Sequence, residues 1–90
     1  MQVLEAVNVR IPEGLHLRSA ARLVQLIQRF KSRVAVQRGE TRVDARSILG
    51  LLGLSARQGS QLIFYFEGED ALAAAWAVRD FFIHHGSRLD

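Results

Sequence analysis

In the segment Gly14-Leu15-His16-Leu17-Arg18-Ser19-Ala20, a glycine delivers a histidine and, two positions on, an arginine onto the start of an apolar, helix-like run. A helix that opens here carries unpaired backbone N–H groups and a partial positive charge at its first turn, so an anion beside His16 would meet oriented donors and the Arg18 guanidinium together. Phosphate is the anion such a site suits. An imidazole attacks phosphorus only when neutral, and both the helix end and Arg18 disfavour the imidazolium, keeping a lone pair available around neutral pH. After transfer, the phosphoryl oxygens would accept hydrogen bonds from the same N–H groups and from Arg18. Taken without its neighbours, His16 would be an ordinary loop histidine or helix cap.

The rest of the chain must hold that segment in place. Ninety residues, 49% hydrophobic, with no cysteine and one proline, fit a single compact domain spanning 1–90, since a chain of this size buries about 60% of its unfolded surface. The absence of cysteine excludes a disulfide framework, a thiolate nucleophile and Cys-based zinc sites. No metal or organic cofactor is expected. The first residues, Met1-Gln2-Val3-Leu4-Glu5, lack a basic segment leading into an apolar one, and no run is long enough to span a bilayer. A soluble, cytoplasmic protein with no membrane insertion is expected. The net charge of +3 is carried mainly by arginine, which suits acidic surfaces, phosphate or nucleic acid without choosing among them.

Val3 to Val9 is rich in β-branched residues and reads as a first strand, broken at Ile11-Pro12-Glu13-Gly14. From Leu17 onward, Ala20, Leu23, Val24, Ile27 and Phe30 recur at helical spacing, with Arg22, Gln25 and Arg29 on the other face. Val34-Ala35-Val36 and Thr41-Arg42-Val43 flank Arg38-Gly39-Glu40 as a hairpin. Ser47 reads as the N-cap of a short helix over Ile48–Leu54, weakened by Gly50 and Gly53. A fourth strand over Gln61–Glu67 alternates Leu62, Phe64 and Phe66 against the residues between them. Gly68-Glu69-Asp70 opens a last helix whose buried face is expected to hold Ala71, Leu72, Ala75, Trp76, Val78, Phe82 and Ile83, and His84-His85-Gly86 ends it. The order β-α-β-β-α-β-α predicts an α+β fold, a four-stranded antiparallel sheet with three helices on one face.

Gly14-Leu15-His16-Leu17-Arg18, followed at its proper distance by Ser47-Ile48-Leu49-Gly50-Leu51 in this element order, resembles the HPr family, the phosphocarriers of the bacterial phosphotransferase system. The resemblance covers nearly the whole chain. It implies an open-faced β-sandwich with strand order 1-4-2-3. The implied activity is carriage of a phosphoryl group on His16, at Nδ1, from enzyme I to sugar-specific enzyme IIA components, with Arg18 as phosphate partner. Such a protein is a shuttle within a transferase chain and not a free-standing enzyme.

Family members usually carry proline where this chain has Ser19, so the constraint on φ at the helix start is loosened while the N–H donors stay, and the serine hydroxyl can add a contact. Ser47 matches the position that HPr kinase/phosphorylase modifies in many members. Its alternative role is helix capping, and the two are compatible because phosphate at a helix start is favourable while its charge would repel an acidic partner. Ile48, Leu49 and Leu52 are either core or, by resemblance, part of a partner-binding surface with Leu17, Arg18 and Arg22, an apolar centre rimmed by arginine. Leu51 is read as core, and Trp76 as core or core edge. Adjacent His84 and His85 diverge by about 100° on a helix and do not chelate one ion, which leaves them as C-terminal caps.

Two other readings compete. An HPr-like regulatory paralogue would serve nitrogen-related phosphotransfer or bind a transcription factor. A small basic RNA-binding domain would use Gly50-Leu51-Leu52-Gly53 as a G-x-x-G loop, but that loop should expose polar residues, and Phe64-Tyr65-Phe66 lacks a basic, glycine-bearing context. No nucleic-acid partner is therefore expected. A monomer is the default oligomeric state.

Overall fold

The computed structural model describes residues 1–85. The elements run β1 Gln2–Asn8, α1 Leu17–Ile27, β2 Arg33–Arg38, β3 Thr41–Asp44, α2 Ile48–Gly53, β4 Gln61–Glu67 and α3 Ala71–His85. The four strands form one antiparallel sheet in the order β1-β4-β2-β3. This is the α+β open-faced sandwich expected from the sequence. Sheet order follows from chain economy: β2 and β3 are joined by a tight turn, whereas β4 returns after α2 to fill the gap between β1 and β2. Gly39, at φ +60°, supplies the left-handed turn residue, and Arg38 pairs with Thr41 across it.

Strand β4 is the spine of the sheet. Leu62, Phe64 and Phe66 are buried on the helix side, while Ile63 and Tyr65 face the open side. Phe64 stands 6.1 Å from Phe66 and 5.7 Å from Phe82 of α3, and Phe82 meets Phe81 edge-on at 5.2 Å. Burying each such ring contributes about 2 kcal/mol by area. On the open face, the Arg42 guanidinium lies 4.0 Å from the centre of the Tyr65 ring, and the Tyr65 hydroxyl donates to Gln37 at 3.3 Å.

The apolar stripe of α1, Ala20, Leu23, Val24 and Ile27, is buried as its spacing predicts. The helix stops at Ile27, short of Phe30, which is half-buried in the turn that follows. Arg46 explains why the turn holds: its guanidinium donates to the carbonyls of Ile27 (3.4 Å), Phe30 (2.9 Å) and Ser32 (2.7 Å), capping the C-terminal end of α1 from a distant part of the chain.

The face of α3 departs from expectation. Ala71, Ala74, Ala75, Val78, Phe81 and Phe82 are buried, whereas Leu72, Trp76 and Ile83 are exposed, Trp76 to 66%. The helix is apolar nearly all round, so spacing alone does not select its inner face. Small alanines take the sheet side at its N-terminal half, and Trp76 is left outside. Asp70, just before α3, accepts from the backbone N–H groups of Lys31 (2.8 Å) and Ser32 (2.9 Å) and from the Ser32 hydroxyl. It thereby ties the start of α3 to the entry of β2. These bonds, the Ser32 hydroxyl first and the Lys31 amide next, hold its carboxyl below the ordinary value. At the other end His84 Nε2 pairs with Asp80 at 2.9 Å, one turn back along the helix. Gly86, expected to end α3, and the His85 side chain lie outside the described residues.

Candidate functional site

The loop before α1 is pinned to the loop before β4. Gly14 adopts φ +75°, and a Cβ there would lie 2.5 Å from the Ala56 carbonyl oxygen and 3.0 Å from Arg57 Cα. Only glycine lets the two backbones approach this closely. The contact is locked by the Leu15 N–H donating to the Ala56 carbonyl at 2.8 Å, with the Leu15 side chain buried beneath. The chain then emerges as His16.

His16 is the N-cap of α1, in extended conformation at φ −121° and ψ −178°. Its carbonyl accepts from the Ala20 N–H at 2.8 Å, the first bond of the helix. Ser19, three residues on, is buried, and its hydroxyl accepts from the His16 N–H at 3.0 Å and donates to the His16 carbonyl at 3.1 Å. Ser19 is thus the N3 partner of a capping box headed by His16. The added contact anticipated for Ser19 therefore exists, and it restrains the backbone at the histidine. The His16 side chain keeps 34% of its surface exposed, beside first-turn N–H groups that lack helical acceptors.

Arg18 lies exposed on the same first turn, and Arg22 one turn further. Leu17 projects into solvent at 65% exposure. Helix α2 packs alongside α1 and begins at Ser47, whose hydroxyl accepts from the Gly50 N–H at 2.9 Å, so the capping role is realised. Within α2, Leu51 is fully buried, Leu49 is 82% exposed, and Ile48 and Leu52 are half-buried against the core. The six residues expected at a partner surface thus divide: Leu17, Arg18, Arg22 and Leu49 stand open, and Ile48 and Leu52 support them from the core edge. Gly50-Leu51-Leu52-Gly53 lies within α2 with Leu51 inward, which removes the G-x-x-G loop reading: a nucleic-acid clamp needs an open loop.

One neighbour was not singled out from sequence. Glu13 Oε1 lies 3.6 Å from His16 Nε2, with the Glu13 side chain 80% exposed. The three-residue spacing is visible in the sequence, but Glu13 precedes the helix, where no regular period relates side chains. Among the described residues no group of three His, Cys, Asp or Glu converges on a metal position. No helix among them is long and apolar enough to cross a membrane.

Comparison with known proteins places this arrangement. The family model described as "PTS HPr component phosphorylation site" matches residues 4–83. The chain is 39% identical over 80 residues to the phosphocarrier protein HPr of Treponema pallidum, covering 89% of this chain and 91% of that protein. It is 38% identical over 68 residues to the HPr-like protein Crh of Bacillus subtilis, covering 76% of this chain and 80% of that one. The crystal structure of HPr from Bacillus anthracis superposes with a TM-score of 0.86 at 32% identity, covering 90% of this chain and 96% of that chain. The accessible histidine on its helix cap thus sits within a fold and a sequence that agree over nearly the full length, and the chain belongs to the HPr family of phosphocarriers of the phosphotransferase system.

Proposed function

We propose that residues 1–90 form a single cytoplasmic carrier domain that accepts a phosphoryl group on His16 from enzyme I and passes it to enzyme IIA components. The observation that carries this reading is the accessible His16 ring at the N-cap of α1, with its backbone held by Ser19 and with Arg18 two residues along. A trigonal phosphoryl group in flight bears negative charge on three oxygens, and the first-turn N–H groups with the Arg18 guanidinium stabilise that charge without a metal. Because the same groups face both the incoming and the outgoing phosphoryl, the bond is formed and released reversibly, as a shuttle requires. Leu17 and Leu49, exposed and apolar, with Arg18 and Arg22 around them, make the surface on which acidic partners dock.

The test is a relay: phosphoenolpyruvate, enzyme I and this protein should load phosphate on the carrier, and adding an enzyme IIA should discharge it. A carrier that loads but discharges to no IIA would contradict the sugar-uptake role.

The similarity to Crh, together with the retained Ser47, favours a second reading in which Ser47 is phosphorylated by HPr kinase/phosphorylase and the protein acts in regulation. A phosphate on Ser47 stays favourable at the start of α2 while placing negative charge beside Leu49. Incubation with that kinase and ATP should phosphorylate wild type and leave Ser47→Ala unmodified. Labelling of the alanine variant would remove Ser47 from this role.

A further inference from the structure

The pair Glu13 and His16 carries an inference beyond phosphate carriage itself. The two ring nitrogens of a neutral histidine are not equivalent: one holds the proton and the other the lone pair, and a neighbour on one nitrogen decides which. Here a carboxylate oxygen lies 3.6 Å from Nε2, somewhat beyond hydrogen-bond length. Glu13 is an exposed side chain with free torsions, and a small rotation closes that gap. Its negative charge attracts a proton on Nε2 and repels a lone pair there.

We propose that Glu13 is a positioning residue that holds the proton of His16 on Nε2 and so presents Nδ1 as the phosphoryl acceptor. The inference deepens the carrier reading and rests on it for its kinetic part. In the transfer step, the Nδ1 lone pair forms the bond to phosphorus while the donor's bond to phosphorus breaks, its electron pair staying with the donor. The Nε2 proton does not move. The ring therefore becomes a phosphoimidazolium whose positive charge faces the Glu13 carboxylate, the same device by which a buried carboxylate supports an imidazolium elsewhere in catalysis. On discharge, the N–P bond breaks, its electron pair returns to Nδ1, and the Nε2–H tautomer is regenerated. Glu13 thus selects the nitrogen and lowers the cost of its charge in both directions.

Its exposure sets the scale. A solvent-screened pair changes the transfer rate by roughly two- to five-fold, far less than loss of the histidine. The experiment is two-bond proton–nitrogen correlation NMR of the His16 ring at alkaline pH, in the wild type and in Glu13→Ala, alongside the rate of phosphorylation by phosphoenolpyruvate and enzyme I. Far-UV circular dichroism confirms that the variant is folded. The wild type should show a protonated Nε2 and a bare Nδ1. The variant should shift toward a tautomer mixture and load several-fold more slowly, with Glu13→Asp restoring part of both. An unchanged tautomer ratio in Glu13→Ala, or a wild-type ring protonated on Nδ1, would overturn the assignment. A shifted ratio with an unchanged rate would overturn its kinetic half. Failure of the wild type to be phosphorylated on His16 would instead sink the carrier reading, and the tautomer measurement would still decide what Glu13 does to the ring.

Discussion

Ser19 binds His16 twice, accepting from its N–H at 3.0 Å and donating to its carbonyl at 3.1 Å. One buried hydroxyl therefore fixes both backbone groups of the residue proposed to carry phosphate. Where proline would set the first turn of α1 through a locked φ, this chain reaches a defined first turn through a side-chain clasp.

Replacement of Ser19 by alanine should cost about 1 kcal/mol, a fall in Tm of roughly 4–8 °C for a domain of this size, because the cap is lost and little else changes. Loading by enzyme I should slow several-fold as the ring's anchor loosens. Thermal melts and a phosphorylation time course check both. Equal melting and equal rates would show that the clasp is incidental.

Gly14→Ala should be the most damaging single change in the loop. The new Cβ would sit 2.5 Å from the Ala56 oxygen at φ +75°, so either the loop moves or the turn before β4 does. A loss of about 1–3 kcal/mol is expected. Loading should fall with it, since the displaced segment carries His16. Chemical denaturation gives the first figure, and a variant as stable as wild type would contradict the close approach.

Arg46→Ala should destabilise the protein by about 2 kcal/mol without altering the site, because three carbonyls at the end of α1 and the entry to β2 lose a charged donor. Lysine at this position cannot satisfy all three, so Arg46→Lys should recover only part of the loss. Urea titrations of the two variants, with phosphorylation rates measured above the midpoint of neither, separate stability from activity.

Asp70 gives the acid dependence its sign. Its carboxyl titrates below the ordinary value of 3.8 because the charged form is held by Ser32 and Lys31. A depressed carboxylate stabilises the fold fully above the unfolded value and loses that contribution as pH falls through the lower folded one. Asp70→Asn should therefore melt below wild type at neutral pH, and the gap should close once the pH drops well under 3.8. A gap that persists undiminished in acid would contradict the ionised tie.

These predictions show where the sequence was transparent. The alternation of Leu62, Phe64 and Phe66, the turn at Gly39 and the cap at Ser47 are local patterns, and each became the element its pattern names. The helix start at His16-Leu17-Arg18 was equally readable, and His16 stands there as the N-cap of α1. Trp76 was misplaced because α3 is apolar on most of its circumference, leaving the inner face to be chosen by the closeness of alanine packing. Arg46 and Asp70 act across turns on residues 14 to 39 positions away, and no period in the sequence encodes such partners. Ser19 stands between these cases: a hydroxyl three residues after an N-cap is a readable half of a capping box, masked here by the expectation of proline.

The most direct test of the account is to treat the protein with enzyme I and phosphoenolpyruvate and to localise the modification by mass spectrometry at neutral or alkaline pH, where a phosphohistidine survives. One acid-labile, base-stable phosphate should appear on His16, and His16→Ala should carry none. A stable phosphate on any other residue, or retained labelling of the alanine variant, would contradict the claim that the ring at the head of α1 is the carrier.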